Sequence, residues 1–353
     1  MANVGTYDIS FLLAAKDQSV KRVGVETVTA VLEADLAMYN SLVNGLLSEL
    51  CDITEDERRL FGVSSGNQMT EVDEFGVGAS QRVSNPYSIY FPMKKYTFAS
   101  GWTKDFMARA TAADIAQKML DAQTAHKLTL QAEIRKAIFR STNVTFRDAL
   151  VDNVSGLTAY RFLNADGKAI PMGAAGETFA GSTHNHYNST GTATVADATA
   201  LINTVVEHGH GGRMILAINR ADEATVRAYS GFVALQPTWL INPMYAAANG
   251  VPSQALDVSK VDNRQIGFLG AAEVWVKSWC PDNYYFAWDA SDPRKPLGCR
   301  VPKGGNPGLI PSGEFMSHFL STQVFETHVG FSAWTRTNGA VLYTGNDTWA
   351  DGV

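Results

Sequence analysis

The sequence predicts an α+β fold organised along one long helix. Three observations carry that prediction: an unbroken helical stretch from Thr111 to Arg140, a compact helix–strand–helix run between Thr194 and Tyr229, and strand-like alternation before and after them. No Pro or Gly interrupts Thr111 to Arg140, and Ile115, Met119, Ala122, Leu130, Ile134 and Ile138 draw one apolar stripe at three-to-four spacing. Thr111 followed by Asp114 supplies an N-cap with a carboxylate placed for the orphan backbone N–H groups. At 1.5 Å per residue such a helix is about 45 Å long, a beam more than an element of a small core. His126 falls on the stripe and reads as a histidine packed in the interface, not a ligand.

Taken in order, residues 1–20 lack periodicity and read as an extended arm. From Val23 to Leu50, the positions Val28, Leu32, Leu36, Tyr39, Val43, Leu46 and Leu50 mark a second long helix. A short charged segment, Asp56 to Arg59, leads into a Gly/Ser loop, Gly62 to Gly66. Thr70 to Ser100 carries scattered Gly and Pro with alternating Tyr87, Ile89 and Phe91, the composition of a long two-stranded excursion. A lone hairpin is marginal in water, so its apolar side is expected to rest on another surface. Lys94 and Lys95 read there as solvated charges on a strand edge, which discourage uncontrolled pairing.

Beyond the long helix, Ser155 to Thr192 is rich in Gly, Ala, Ser, Thr and Asn and reads as loops and short strands. Thr194 with Asp197 caps a helix striped by Ala198, Leu201, Ile202, Val205 and Val206 that ends at Gly209. Arg213 to Asn219 is a near-continuous apolar run, the mark of a buried strand, and Asp222 to Tyr229 a short helix. Strands over Ala272 to Trp279 and Tyr284 to Trp288 flank the turn signal Pro281-Asp282-Asn283. A Pro/Gly-rich linker, Arg294 to Pro311, precedes a last strand in which Phe325, Thr327, Val329, Phe331 and Ala333 share a face. Asn338-Gly339 then gives the strongest hairpin dipeptide in the chain.

The 353 residues leave one large domain or two open, and 45% hydrophobic residues suffice for a real core. Charged residues make up only 18%, below the roughly 25% of an average soluble domain, which fits a surface largely covered by partners. A net charge of −6 with no basic run argues against a nucleic-acid-gripping role. Cys51, Cys280 and Cys299 are too scattered for a disulfide framework or a paired-cysteine zinc site. The N-terminus lacks the basic and apolar regions of a signal peptide, and no apolar run is long enough to span a membrane. A soluble protein made inside the cell is the expectation.

Catalytic motifs find little support. Gly62-Val63-Ser64-Ser65-Gly66 matches the nucleophile-elbow pattern, but a charged helical segment is expected before it and no helix after it, so it reads as a loop. His184-x-His186 lies in a Gly/Asn/Ser-rich loop and His208-x-His210 at a glycine-rich helix end. Both pairs read as surface or capping histidines, and no metal, cofactor or catalytic residue is assigned. Neither a phosphate loop nor a complete dinucleotide fingerprint is present. The sequons at Asn143, Asn153, Asn188 and Asn346 carry no weight without a secretory signal.

Three stretches, SIYFPMKKYTFASGWTKDFMARA, DNRQIGFLGAAEVWVKSWCP and FETHVGFSAWTRTNGAVLY, together with the element order, resemble the tailed-bacteriophage major capsid protein family with its Hong Kong 97-type fold. The last, with its Val329-Gly330 pair and following turn, resembles the family's terminal strand most specifically. The resemblance implies an N-terminal arm and helix (1–60), an extended two-stranded loop (61–100), a peripheral domain with a spine helix (101–193 and 311–353) and an axial domain (194–310). It further implies pentamers and hexamers that close an icosahedral phage head around double-stranded DNA, assembled in the host cytoplasm. The partners it implies are the chain itself, DNA contacted non-specifically, a portal, a separate scaffolding protein and a decoration protein. Many relatives carry a cleaved N-terminal scaffolding segment, whereas this sequence starts close to the arm. Ile115, Met119, Leu130, Ile134 and Ile138 are then expected to pack the spine, and Tyr87, Ile89, Phe91, Lys94 and Lys95 to meet neighbouring subunits. Some relatives crosslink their loops by isopeptide bonds, which would fall to Lys94 or Lys95. An encapsulin-like nanocompartment is the near alternative, and a metal-dependent hydrolase using His184, His186, His208 and His210 the distant one.

Overall fold

The computed structural model describes residues 8–63, 69, 71–78, 84–103, 106, 109–235, 263–317 and 320–352. From the N-terminus, helices α1 (Ile9–Ala14) and α2 (Val20–Val23) precede α3 (Val25–Leu50). Strands β1 (Cys51–Thr54), β2 (Arg58–Val63), β3 (Ser84–Tyr90) and β4 (Lys94–Thr103) lead to the long helix α4 (Ala112–Ile138). Then come β5 (Val144–Asp148), β6 (Val154–Ala159), β7 (Tyr187–Ser189), α5 (Val195–Val206), β8 (Met214–Ile218) and α6 (Glu223–Arg227). Strands β9 (Phe232–Ala234), β10 (Asn263–Leu269), β11 (Ala272–Lys277), β12 (Tyr284–Asp289), β13 (Leu297–Arg300), β14 (Ile310–Ser317), β15 (Leu320–Ala333) and β16 (Ala340–Tyr343) complete the chain.

Both long helices form where the apolar spacing and the caps place them. Thr111 accepts from the Asp114 N–H while Asp114 accepts from the Thr111 N–H, a closed capping box, and Thr194 with Asp197 repeats it on α5. The segment expected to be an extended arm is helical from Ile9 to Ala14 and from Val20 to Val23. Leu12 and Ala15 bury against Val28 and Val31 of α3 and Ala112 and Ala116 of α4. Helices this short hold only by docking, which a six-residue window cannot reveal as periodicity. Gly24, at φ 98°, makes the left-handed junction from α2 into α3.

The strands form two larger sheets. One, five-stranded, runs β1-β13-β15-β14 with β4 also on β15; the other, seven-stranded, runs β7-β16-β12-β8-β11-β10-β9. The two-stranded excursion differs from its expected limits. β2 pairs antiparallel with β3, from Arg58 opposite Tyr90 to Val63 opposite Ser84. β4 belongs instead to the five-stranded sheet, paired with β15 from Lys94 opposite Val329 to Thr103 opposite Leu320. The charged segment before Gly62 is therefore the approach to a strand, and Ser64 to Gly66 of the elbow-like pattern lie outside the described residues.

At two turn signals the flanking strands do not pair with each other. β11 and β12 do not pair with each other: β8 lies between them, parallel to β11 and antiparallel to β12. All residues of β8 are buried, so an apolar run with no polar face takes the centre and displaces the local hairpin. β15 and β16 on either side of Asn338-Gly339 lie in different sheets. Asn338, fully buried, uses its side chain to hold the Asp289 N–H and the carbonyls of Asp289 and Arg294. The sheets accordingly divide the chain differently from a cut at residue 310, since β13 joins the five-stranded sheet and β16 the seven-stranded one.

On β15 the residues Phe325, Thr327, Val329, Phe331 and Ala333 are all buried. Gly330 between them is required by a close approach: a Cβ there would stand 1.3 Å from the Pro92 carbonyl oxygen. The C-terminal half of α4, through Leu130, Ile134 and Ile138, shares one core with α3 and with both sheets, including Phe286, Trp288, Val329 and Phe331. Its middle, Met119 and Ala122, packs with Leu36, Leu309 and Phe325. A second core lies between α5 and the seven-stranded sheet.

Candidate functional site

The residues singled out from the sequence fall into three groups. Met119, Leu130, Ile134 and Ile138 are buried along α4, and Ile115 is half-buried beside the docked N-terminal helix. Ile89 and Phe91 are fully buried within their own subunit, packed with Phe61 and Tyr160, and Tyr87 is half-buried against them. Arg336, also fully buried, donates to the Tyr87 hydroxyl, to the carbonyls of Arg161 and Phe162, and to Asp166. Arg59 lies 4.5 Å above the Trp334 ring and donates to the Trp334 carbonyl. These contacts anchor the base of the excursion to its own chain. What it leaves exposed is Leu60 on β2 and, beyond it, Met69, Phe75 and Val77.

Lys94 and Lys95 are exposed on β4, which among the described residues pairs only with β15, and each is ion-paired. Lys94 Nζ lies 2.6 Å from Glu133 of α4, which Lys136 also reaches at 2.8 Å, and Lys95 pairs with Glu326 of β15. Burial pushes Glu133 up, but the bonds from Lys136 and Lys94 outweigh it and hold the carboxyl below its usual range. On helix α3 the sequence stripe fails at Leu46, which is exposed while Leu47 takes the buried place. Met38, Leu42 and Leu46 repeat every fourth residue and are each more than half exposed, on a different face from the buried Leu36, Val43 and Leu47.

The histidines form the most concentrated chemistry among the described residues, and they are not surface groups: His186, His208 and His210 are buried. A polar, glycine-rich composition reads as exposed loop, yet this loop folds in against the end of α5 and the Gly339 connection. His184 and His186 sit on the extended approach to β7, two residues apart and so on one face. His208 follows the C-terminus of α5, where Gly209 at φ 84° turns the chain. The Nε2 atoms of His184, His186 and His208 form a triangle with sides of 3.1, 3.0 and 3.1 Å. Glu207 Oε1 approaches to 3.4 Å from His184 Nε2 and 3.9 Å from His208 Nε2.

His186 Nδ1 meets the Gly339 carbonyl at 2.7 Å, and Phe179 packs on the rings of His184 and His208. Burial, reinforced by His208, holds His186 well below the histidine range; burial and His184 bring His208 down to about 3. His210 is not part of the triangle: its Nδ1 bonds Asp292 at 2.7 Å and its Nε2 the Thr337 hydroxyl at 2.9 Å. The set of four histidines considered for a hydrolase is therefore not assembled. An open groove of about 450 Å³ is lined by Asn143, Asn164, Asp166 and Trp349, among others. Its carboxylate is committed to Arg336 and Asn143.

No protein-family model and no curated protein matches the sequence. Among solved structures, one from Mycobacterium phage Patience superposes with a TM-score of 0.65 at 16% identity, covering 98% of this chain and 95% of that one. The capsid of the native GTA particle gives 0.46 at 14% identity, over 84% of this chain and 89% of the other. The SrpI encapsulin complex of Synechococcus elongatus PCC 7942 gives 0.46 at 11% identity, over 86% and 88%. No helix among the described residues is long and apolar enough to cross a membrane.

Proposed function

We propose that this chain, which has the Hong Kong 97-type fold, is a phage major capsid protein. In this reading identical copies assemble as pentamers and hexamers into an icosahedral head around double-stranded DNA. The observation that carries the proposal is a fold shared with a phage protein over 98% of the chain. The surface supports it. Met38, Leu42 and Leu46 on α3, with Phe75 and Val77 beyond the β2–β3 pair, expose apolar area that a second copy of the chain would cover. A net charge of −6 suits a wall that faces packaged DNA without gripping it.

Function in this reading is geometric. The docked helices and α4 set the body of the subunit, and small changes where the excursion leaves it let one sequence occupy non-equivalent positions. A portal, a scaffolding protein and a decoration protein would be its partners, and the virion its location. Negative-stain microscopy with size-exclusion chromatography of the purified protein tests the proposal. Closed shells are expected, and DNA inside particles recovered from virions. A stable monomer or small ring under every assembly condition would overturn it, and shells filled with a co-purifying enzyme would assign the nanocompartment reading instead.

A further inference from the structure

A hydrogen bond needs an N–H on one side and a lone pair on the other, and each neutral Nε2 offers only one of the two. Three such atoms in mutual contact cannot alternate around a triangle: at least one side must set proton against proton or lone pair against lone pair. His184, His186 and His208 are arranged in that way, with sides of 3.0–3.1 Å. The Gly339 carbonyl can only accept, so His186 Nδ1 carries its proton and neutral His186 points an Nε2 lone pair into the triangle. Imidazoles brought this close repel one another on that side, and the neighbouring Glu207 Oε1, 3.4 Å from His184 Nε2 and 3.9 Å from His208 Nε2, only accepts and so cannot take up the His186 lone pair.

A cation does relieve them, because it takes all three lone pairs at once. The centre of the triangle is about 1.8 Å from each nitrogen, so an ion about 1 Å above its plane stands about 2.0–2.1 Å from all three, the Zn–N bond length. Glu207 Oε1 stands 3.4 Å from His184 Nε2, near the roughly 3.3 Å ligand–ligand spacing of a tetrahedral zinc site, and 3.9 Å from His208 Nε2, so its side chain has to move in to complete the set. All four ligand atoms lie within 4.8 Å of one another. The His186 Nδ1–Gly339 bond fixes tautomer and ring orientation as outer partners of metal-bound histidines do, and Phe179 walls the site on one side.

We propose that His184, His186, His208 and Glu207 bind a divalent transition-metal ion, zinc by donor set and geometry, as a structural site. Four side chains close the coordination sphere and leave no open position for a substrate water. The ion joins the approach to β7 to the end of α5, pinning the polar loop before β7 against the seven-stranded sheet. The site does not depend on shell formation, since all its ligands come from one chain.

The test uses the full-length protein, purified without a metal-affinity step. Elemental analysis should find about one zinc per chain. Chelator-treated protein should take up ZnCl2 in calorimetry and lose thermal stability until it does, and CoCl2 should give the intense visible bands of four-coordinate cobalt. Glu207→Gln, at the exposed rim, should fold and weaken zinc binding by about tenfold or more, a loss that even an outer partner can cause. His184→Ala with His208→Ala should abolish uptake, with circular dichroism reporting whether the chain stays folded. Zinc-free protein that remains folded and takes up no added zinc would overturn the site. Uptake unchanged in Glu207→Gln and in a folded double variant would do the same.

Discussion

His126, buried on α4, meets the Tyr39 hydroxyl through Nδ1 at 2.9 Å and lies edge-on to that ring. Burial brings it down to about 4, whereas in the unfolded chain it titrates near about 6.5. Below pH ~6.5 the unfolded state takes up a proton that the folded state refuses, so stability falls as pH drops towards about 4. The loss reaches at most about 3 kcal/mol when the whole difference is realised. Urea denaturation of unassembled subunits at pH 7 and pH 5 should show this fall, and His126→Phe should make it smaller, the remainder coming from the other depressed histidines such as His186 and His208; an equal fall in both proteins would refute the assignment. Glu133 acts in the same sense at lower pH. Its lowered folded value gives stability that is present above the ordinary carboxylate range and is lost in stronger acid.

Helices α3 and α4 each carry two kinds of apolar residue, and the elements separate folding from assembly. Ile134 is buried in the core shared by both sheets, so Ile134→Ala should cost about 2–5 kcal/mol in chemical denaturation. Leu42 and Leu46 face outward on α3. Leu42→Ser with Leu46→Ser should leave the denaturation midpoint of the subunit within about 0.5 kcal/mol, yet prevent closed shells in negative stain. A double variant that unfolds the subunit would place these residues in the core, and one that assembles normally would remove α3 from the interface.

For the whole molecule, the β2–β3 excursion is held at its base by Arg336 and Arg59 and exposes apolar residues further out. Deleting residues 69–78 should therefore leave a folded subunit with unchanged denaturation and abolish closed shells. Normal particles from that deletion would show that the excursion carries no assembly contact. Covalent linkage through Lys94 or Lys95 would first have to displace Glu133 or Glu326, with which these lysines are paired. A monomer band from mature particles on a denaturing gel would exclude it.

Local physics alone determined the two long helices, the Thr111 and Thr194 capping boxes, the buried strand β8 and the inward face of β15. Each is written in spacing or capping within a few residues, which is the range over which sequence pattern acts. Non-local burial decided the rest. The N-terminal helices exist because α3 and α4 receive them. The strands flanking the Pro281-Asp282-Asn283 and Asn338-Gly339 turns pair elsewhere because β8 and the division between two sheets outcompete adjacent pairing. Gly330 is explained only by the Pro92 carbonyl lying against it. The imidazole triangle was the least legible feature, since two His-x-His pairs show in sequence while a site needs three nitrogens at one point. Only the packing of the loop before β7 onto the end of α5 brings His184 and His186 to His208 and sends His210 to Asp292.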